Sequence, residues 1–166
     1  MKKRPDIHTI SILVANKPGV LVRCAQVFAR RGYNIDALVV SASVDSRFSR
    51  MTITAQGDPG TLDQIIKQTA KLVDVIHVSE HTGLDAVHTE LALFKIKYTA
   101  AAKAVILKLL KRFNTRLLDK SDSTFIIEQT GTTDQIDELE SLLKKYHILE
   151  MVRSGKVVMA KGRGET

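Results

Sequence analysis

The first half of the chain alternates between apolar and polar residues in a way that predicts strands separated by two amphipathic helices. Residues 10–14 and 50–55 alternate with the period of two that is typical of half-buried strands, whereas apolar side chains after positions 19 and 61 recur at helical spacing. Asp58 and Pro59 suit the first turn of the second helix, as a capping side chain and a residue without an N–H. The predicted order is strand 10–14, helix, strand 34–44, strand 50–57, helix, strand 73–79.

The second half repeats this order. Strands are predicted at 90–98, 116–120, 124–130 and 148–153, with one helix after the first strand and another after Thr132, where Thr132 and Gln135 fit a capping box. A constant offset of 74 residues relates Gly57 to Gly131, and internal duplication is the simplest explanation. A polar stretch between the halves predicts a linker. The predicted limits are a first domain at 1–80, a linker at 81–86 and a second domain at 87–166.

Each half matches the ferredoxin-like βαββαβ pattern, an α+β fold in which two helices cover one face of a four-stranded antiparallel sheet. The other face is then bare, and we expect Leu38, Val40, Met51 or Ile53 to lie partly on it. Dimerisation or docking of the first domain would cover such a face. Metal carriers, RNA-binding modules, acylphosphatases and amino-acid sensors share this topology, so the fold alone does not assign a function.

The turn between the first strand and the first helix, Asn16–Leu21, has the chemistry of an anion site. We expect Pro18 at the first helical position, where its missing N–H costs nothing, and Gly19 to expose bare backbone to a ligand. Free N–H groups and the positive end of the helix dipole favour a carboxylate or a phosphate. Asn16 would cap the helix or hydrogen-bond the ligand. A plain helix start that binds nothing can have the same residues.

The two halves differ at this turn. Its counterpart, Tyr98–Ala102, contains neither Asn nor Gly, so only the first half keeps the ligand chemistry. Asn34 opens the second strand, and edge-to-edge pairing of two copies would bring the Asn34 of one chain near the Asn16 turn of the other. The sequence therefore predicts a site that is shared between two chains.

Composition narrows the possible functions. The 166 residues carry a net charge of +7 and 44% hydrophobic residues, which favours folded domains. The charge keeps nucleic acid open as a partner, but aromatic residues are only 5% and neither third strand offers paired aromatics for base stacking. No segment approaches membrane-spanning length. The basic residues 1–6 lead into an alternating strand rather than an apolar signal core, so we expect a cytoplasmic protein.

Catalytic and metal sites find no support in the residue pattern. Cys24 lies on the apolar face of the first helix, where a buried thiol is expected, and a single cysteine excludes an internal disulfide. The five histidines have no cysteine partner and no helix-borne pair, and we expect them to be scattered on the surface. Phosphate-cradling glycine loops, nucleophile elbows and paired carboxylates are not found. We therefore expect no catalytic residue, no metal and no cofactor on this chain.

Five segments resemble, in the same order, the small regulatory subunits of acetolactate synthase (acetohydroxyacid synthase), the enzyme that opens the synthesis of valine, leucine and isoleucine. These segments are Asn16–Leu21, Arg31–Ile35, Ser49–Ile53, Lys71–Val75 and Val152–Gly155. The resemblance covers nearly the whole chain, and five motifs in register are far more specific than one. Thr89 departs from the family pattern, in which Arg commonly precedes Glu and Leu, so a contact made by that arginine is in doubt.

The resemblance implies that the first half is an ACT domain, a ligand-sensing module that dimerises and binds valine or a related branched-chain amino acid between subunits. It assigns the effector site to Asn16, Pro18, Gly19, Val20 and Leu21 of one chain and to Asn34 and Ile35 of its partner. Thiamine diphosphate, magnesium and FAD would belong to a separate large subunit, which this chain would activate and make sensitive to feedback inhibition. The alternative is a stand-alone amino-acid-sensing ACT protein that regulates transcription or binds nucleic acid.

Overall fold

The computed structural model describes residues 7–83, 85–113 and 115–166 of the chain. The chain forms two compact units, one that extends to His88 and includes Gly155–Thr166, and one made of Thr89–Ser154. The basic segment 1–6, used above to argue against a signal peptide, lies outside the described residues. Gly155–Thr166, which the predicted limits assign to the second domain, packs with the first unit. The limits 1–80, 81–86 and 87–166 stay a prediction.

The first unit contains a four-stranded antiparallel sheet and two helices. Its elements are β1 (Ile7–Ala15), α1 (Val20–Arg30), β2 (Ile35–Ala42), β3 (Phe48–Gln56), α2 (Pro59–Thr69) and β4 (Val75–Glu80). The strands lie in the order β2-β3-β1-β4, and each is antiparallel to its neighbour. The ferredoxin-like arrangement predicted from the periodicity is confirmed.

The second sheet repeats this arrangement. Its elements are β5 (Ala86–Lys97), α3 (Ala100–Phe113), β6 (Arg116–Lys120), β7 (Thr124–Gly131), α4 (Thr133–Leu143), a short 3₁₀ helix (Lys144–Tyr146) and β8 (Ile148–Arg153). The strand order is β6-β7-β5-β8. One further strand, β9 (Val157–Ala160), pairs with β5 and is missing from the sequence-based prediction.

Alternate residues of the central strands form the core of the first unit. Ile10 pairs with Ile53 and Ile12 pairs with Met51 across β1 and β3, and all four side chains are at most 2% exposed. Buried residues of the two helices pack against them: Val20, Cys24, Phe28, Leu62 and Ile65. Removing this apolar surface from water is the main force that holds the helices on the sheet.

Four apolar residues that we expected partly on the open face of the first sheet lie on the helix side instead. Met51 and Ile53 belong to the core, and Leu38 packs at its margin. Val40 pairs with Met51 across β2 and β3 and therefore faces the same side, although it is 42% exposed. The expectation was wrong because facing depends on strand register, and a shift of one residue reverses the face.

The opposite face of this sheet carries both polar and apolar side chains, and a segment of the same chain lies against it. Four hydroxyl side chains are buried there: Thr9, Ser11, Thr52 and Thr54. Gly155 has a φ of 79° and passes so close to β2 that a Cβ built on it would lie 2.6 Å from the Cβ of Ala37. We call Gly155–Thr166 the C-terminal strap. The face on which we expected a partner therefore carries a segment of this chain.

Two of the five histidines are buried, which corrects the expectation of surface positions. His8 Nδ1 lies 2.8 Å from a carboxylate oxygen of Glu80, and its Nε2 lies 3.2 Å from Gly57 O. His81 Nε2 lies 2.9 Å from Ser79 Oγ. These contacts give both imidazoles a structural role within the first unit.

A buried carboxylate of the second unit is paired with Arg153. Glu90 is 4% exposed and accepts hydrogen bonds from two nitrogen atoms of Arg153, at 2.6 and 3.2 Å. Asp137 accepts another from the same guanidinium at 2.7 Å. Burial opposes the charge of Arg153, but the hydrogen bonds to Glu90 and Asp137 prevail and raise its pKa. Arg153 of β8 therefore links to β5 through Glu90 and to α4 through Asp137.

We expect Arg153→Met to lower the free energy of unfolding by about 3 kcal/mol, because it leaves the buried Glu90 charge without its partner. Adding Glu90→Gln should restore part of the loss. Lys67→Met, which removes an exposed ion pair with Asp63, is the control and should cost at most about 0.5 kcal/mol. Urea unfolding followed by circular dichroism measures all three. Equal losses for Arg153→Met and Lys67→Met would contradict the importance of the buried pair.

His88 should make the first unit less stable in mild acid. Burial lowers its pKa, and the charge of Lys156 lowers it further, with His81 adding to the shift and Asp85 opposing it. Below the ordinary histidine pKa of about 6.5, the unfolded chain therefore binds more protons than the folded one, and stability falls as the pH is lowered. We expect His88→Gln to show a shallower loss between about pH 7 and 5. Urea unfolding at several pH values tests this, and unchanged slopes would contradict it.

Candidate functional site

Backbone hydrogen bonds hold the turn between β1 and α1 against the loops that lead into β3 and β4. Ala15 N–H donates to Asp74 O at 2.8 Å, and Asn16 N–H donates to Arg47 O at 2.7 Å. The side chain of Asn16 donates from Nδ2 to Ser46 O at 3.0 Å. The turn is exposed, yet these three contacts fix its position relative to the sheet.

Helix α1 begins after Gly19, not at Pro18 as predicted. Gly19 is the N-cap residue, with a φ of 84°, and no side chain among the described residues caps the helix. The side-chain amide of Asn16 donates to Ser46 O, and of the two roles considered for this residue, capping and ligand binding, capping is excluded. A positive φ costs glycine little, which explains the residue type at position 19.

Open N–H groups remain at the start of α1. The first hydrogen bond that closes the helix runs from Arg23 N–H to Gly19 O at 3.1 Å, so the helix itself supplies no acceptor for the N–H groups of Leu21 and Val22. At the starts of α2 and α4, an aspartate and a threonine side chain accept such hydrogen bonds. An anion can therefore bind at the start of α1, whereas side chains already cap the starts of α2 and α4.

A cleft of about 280 Å³ opens beside this turn. It is lined by five of the seven predicted effector residues: Asn16, Pro18, Gly19, Val20 and Leu21. Val40, Ser49 and Met51 also line it and are missing from the prediction. Strand pairing brings them there, since Val40 opposes Met51 and Ser49 opposes Val14. Alternation along β3 places 49 and 51 on one face, and a predicted third strand that began at Phe48 rather than at 50 would have found both.

Asn34 and Ile35, the other two predicted residues, lie at the far end of β2. Ile35 pairs with Ala55, at the end of β3 that is remote from the cleft. The five residue steps from Ile35 to Val40 span about 17 Å of strand, so neither side chain reaches the cleft of its own chain. Ile35 packs against the margin of the core, and Asn34 is exposed.

The turn is bordered by cations, and the nearby carboxylates are already paired. Arg23 forms an ion pair with Asp74, and Arg47 forms one with Asp45. The hydrogen-bonded Arg47 guanidinium holds the pKa of the Asp45 carboxyl below its ordinary value. Lys17 lines the cleft and forms no ion pair with any residue that the structure describes. The resulting excess of positive charge favours an anionic ligand.

Cys24 is fully buried in the core, as predicted. Burial raises the pKa of its thiol, Asp74 raises it further and Arg23 opposes the shift, so the reactive thiolate is disfavoured. Within residues 7–83, 85–113 and 115–166, no group of three or more His, Cys, Asp or Glu is placed to hold a metal ion. Among the helices of the same ranges, none is long and apolar enough to cross a membrane.

Both halves of the chain match known protein families. Residues 10–77 match the AHAS small subunit-like ACT domain, and residues 89–162 match the small subunit of acetolactate synthase. A probable acetolactate synthase small subunit from Archaeoglobus fulgidus is 43% identical over 155 residues, which cover 93% of this chain and 97% of that protein. The chain belongs to the acetolactate synthase small-subunit family.

Other members of the acetolactate synthase small-subunit family show the same extent of similarity. The small subunit from Mycolicibacterium smegmatis is 39% identical over 98% of this chain and 95% of its own length. The crystal structure of the small subunit from Thermotoga maritima matches with a TM-score of 0.85 at 36% identity, covering 95% of this chain and 99% of that one. These findings confirm the resemblance and the ACT domain, while the assignment of the seven effector residues stays a prediction.

Proposed function

We propose that this chain activates the large catalytic subunit of acetolactate synthase and makes it sensitive to feedback inhibition by valine or another branched-chain amino acid. The observation that carries the proposal is the uncapped start of α1 beside a partly apolar cleft, in a chain of this family. The relatives are named small subunits of acetolactate synthase, which supports a larger catalytic partner. Thiamine diphosphate, magnesium and FAD would be held by that partner.

The cleft offers one group for each part of a branched-chain amino acid. The N–H groups of Leu21 and Val22 suit the carboxylate. Asn16 uses its Nδ2 to bind Ser46 O, which leaves Oδ1 as an acceptor for the ligand ammonium. Val40 and Met51 supply apolar contacts for an aliphatic side chain.

The sheet geometry supports a site shared between two chains. β2 is an edge strand, and Val40, Ser41 and Ala42 are exposed at the end nearest the cleft. If two β2 strands pair antiparallel about a two-fold axis, the start of each strand lies beside the end of the other. The partner's Asn34 would then reach the cleft that Asn34 of the same chain cannot reach.

A mixing experiment tests the shared site. Calorimetry should show valine binding to the wild-type chain and about a tenfold or larger loss for Gly19→Asp, which blocks the turn, and for Asn34→Ala. Refolding the two variants together should restore binding at half of the sites in mixed dimers, because one site then combines an intact turn with an intact Asn34. Gly60→Asp adds a carboxylate in the first turn of α2 and is the control. Failure of mixing to restore any binding would contradict the shared site.

An activity assay tests the regulatory role. Acetolactate formation by the catalytic subunit should rise when this chain is added and should then fall as valine, leucine or isoleucine is titrated. A coupling of about 1–3 kcal/mol, typical of allosteric effectors, corresponds to a change of roughly 5–150-fold in effector affinity between the two states. Gly19→Asp should lose the inhibition, and Gly60→Asp should keep it. An unchanged rate with and without this chain would contradict the proposal.

A further inference from the structure

A second cavity, of about 530 Å³, lies on the opposite face of the first sheet. Arg50, Leu13 and His77 line it from β3, β1 and β4, and the strap lines it between Met159 and Thr166. All these residues belong to the first unit. The cavity is distinct from the cleft at the turn, because the strand residues of the two sites alternate and face opposite sides of the sheet.

Arg50 carries an unsatisfied charge in this cavity. Leu13 pairs with Arg50 on one side and with His77 on the other, so the three side chains are neighbours on one face. Nη1 of Arg50 is buried and has no hydrogen-bond partner, and Arg50 forms no ion pair within the part of the chain that the structure describes. A water molecule can accept from a buried N–H but cannot balance the guanidinium charge. An anion is the partner that satisfies both requirements.

The remaining lining restricts the kind of anion. Glu165 brings a carboxylate to the cavity, which disfavours a doubly charged ligand such as phosphate and provides an acceptor for a ligand donor. Gly162 and Gly164 have no side chains, so a ligand can approach their backbone. We propose that this cavity binds a small 2-hydroxy or 2-amino carboxylic acid, with its carboxylate on Arg50 and its hydroxyl or ammonium facing Glu165.

The test is an NMR titration of the full chain labelled with ¹⁵N, using lactate, alanine, acetate and phosphate as probes. Lactate or alanine should shift the amide signals of Gly162 and Gly164 at concentrations at which acetate and phosphate do not. Comparing the affinity for lactate with that for alanine shows whether the site prefers a ligand hydroxyl or a ligand ammonium. Arg50→Gln should lower the affinity by about tenfold or more, because a charge-assisted pair is lost. Arg30→Gln removes an exposed arginine of α1 and should leave the affinity unchanged.

Several results would overturn this proposal. One is the absence of shifts at Gly162 and Gly164 with millimolar lactate and alanine, and another is tighter binding of phosphate than of either acid. Equal affinity in Arg50→Gln would exclude the role of the guanidinium. If Arg50→Gln does not fold, Glu165→Gln replaces it: this change at an exposed residue should weaken lactate or alanine several-fold, and an unchanged affinity contradicts the proposed donor contact. The amides of Leu21 and Val22 report separately on the cleft at the turn.

Discussion

The register of the β1–β3 pair is the constraint on which both faces of the first unit depend. Ile12 opposes Met51 and Leu13 opposes Arg50, so successive positions alternate between the core under the helices and the opposite face under the strap. A slip of one residue along β3 would turn Arg50 into the apolar core and Met51 out of it. The cleft beside α1 lies at the end of the same strand pair, so one register sets the walls of both cavities.

Most of the fold follows from periodicity, because long alternating or helical runs leave little choice of structure. The strands predicted at 116–120 and 148–153 have these limits in the structure, and the capping box of Thr132 and Gln135 is present. β9 (Val157–Ala160) could not be found in this way. Four residues contain too few periods to identify a strand, and its pairing with β5 depends on the tertiary structure rather than on the local sequence.

The residues of the candidate site also fall into two groups, those that the local sequence reveals and those that only the folded sheet brings together. Residues 16–21 are contiguous, so their chemistry can be read locally, whereas Val40, Ser49 and Met51 enter the cleft only through the strand order. The position of the Asn16 side chain also depends on a distant contact. Its Nδ2 donates to Ser46 O, which lies 30 residues away in sequence and is brought near by the turn before β3. A local motif locates such a site, and distant hydrogen bonds decide what each residue in it does.

The missing cap of α1 is the structural basis of the effector site proposed for this cleft. A side-chain cap contributes about 1 kcal/mol to a helix, and α2 and α4 have one. In α1 the first-turn donors stay open, so a bound carboxylate would occupy the place that a capping side chain takes elsewhere. Ligand binding and helix capping are then one interaction. The cleft also reaches Val40 on the edge strand β2, so if two β2 strands pair as proposed, the ligand that completes α1 would also stabilise that pairing.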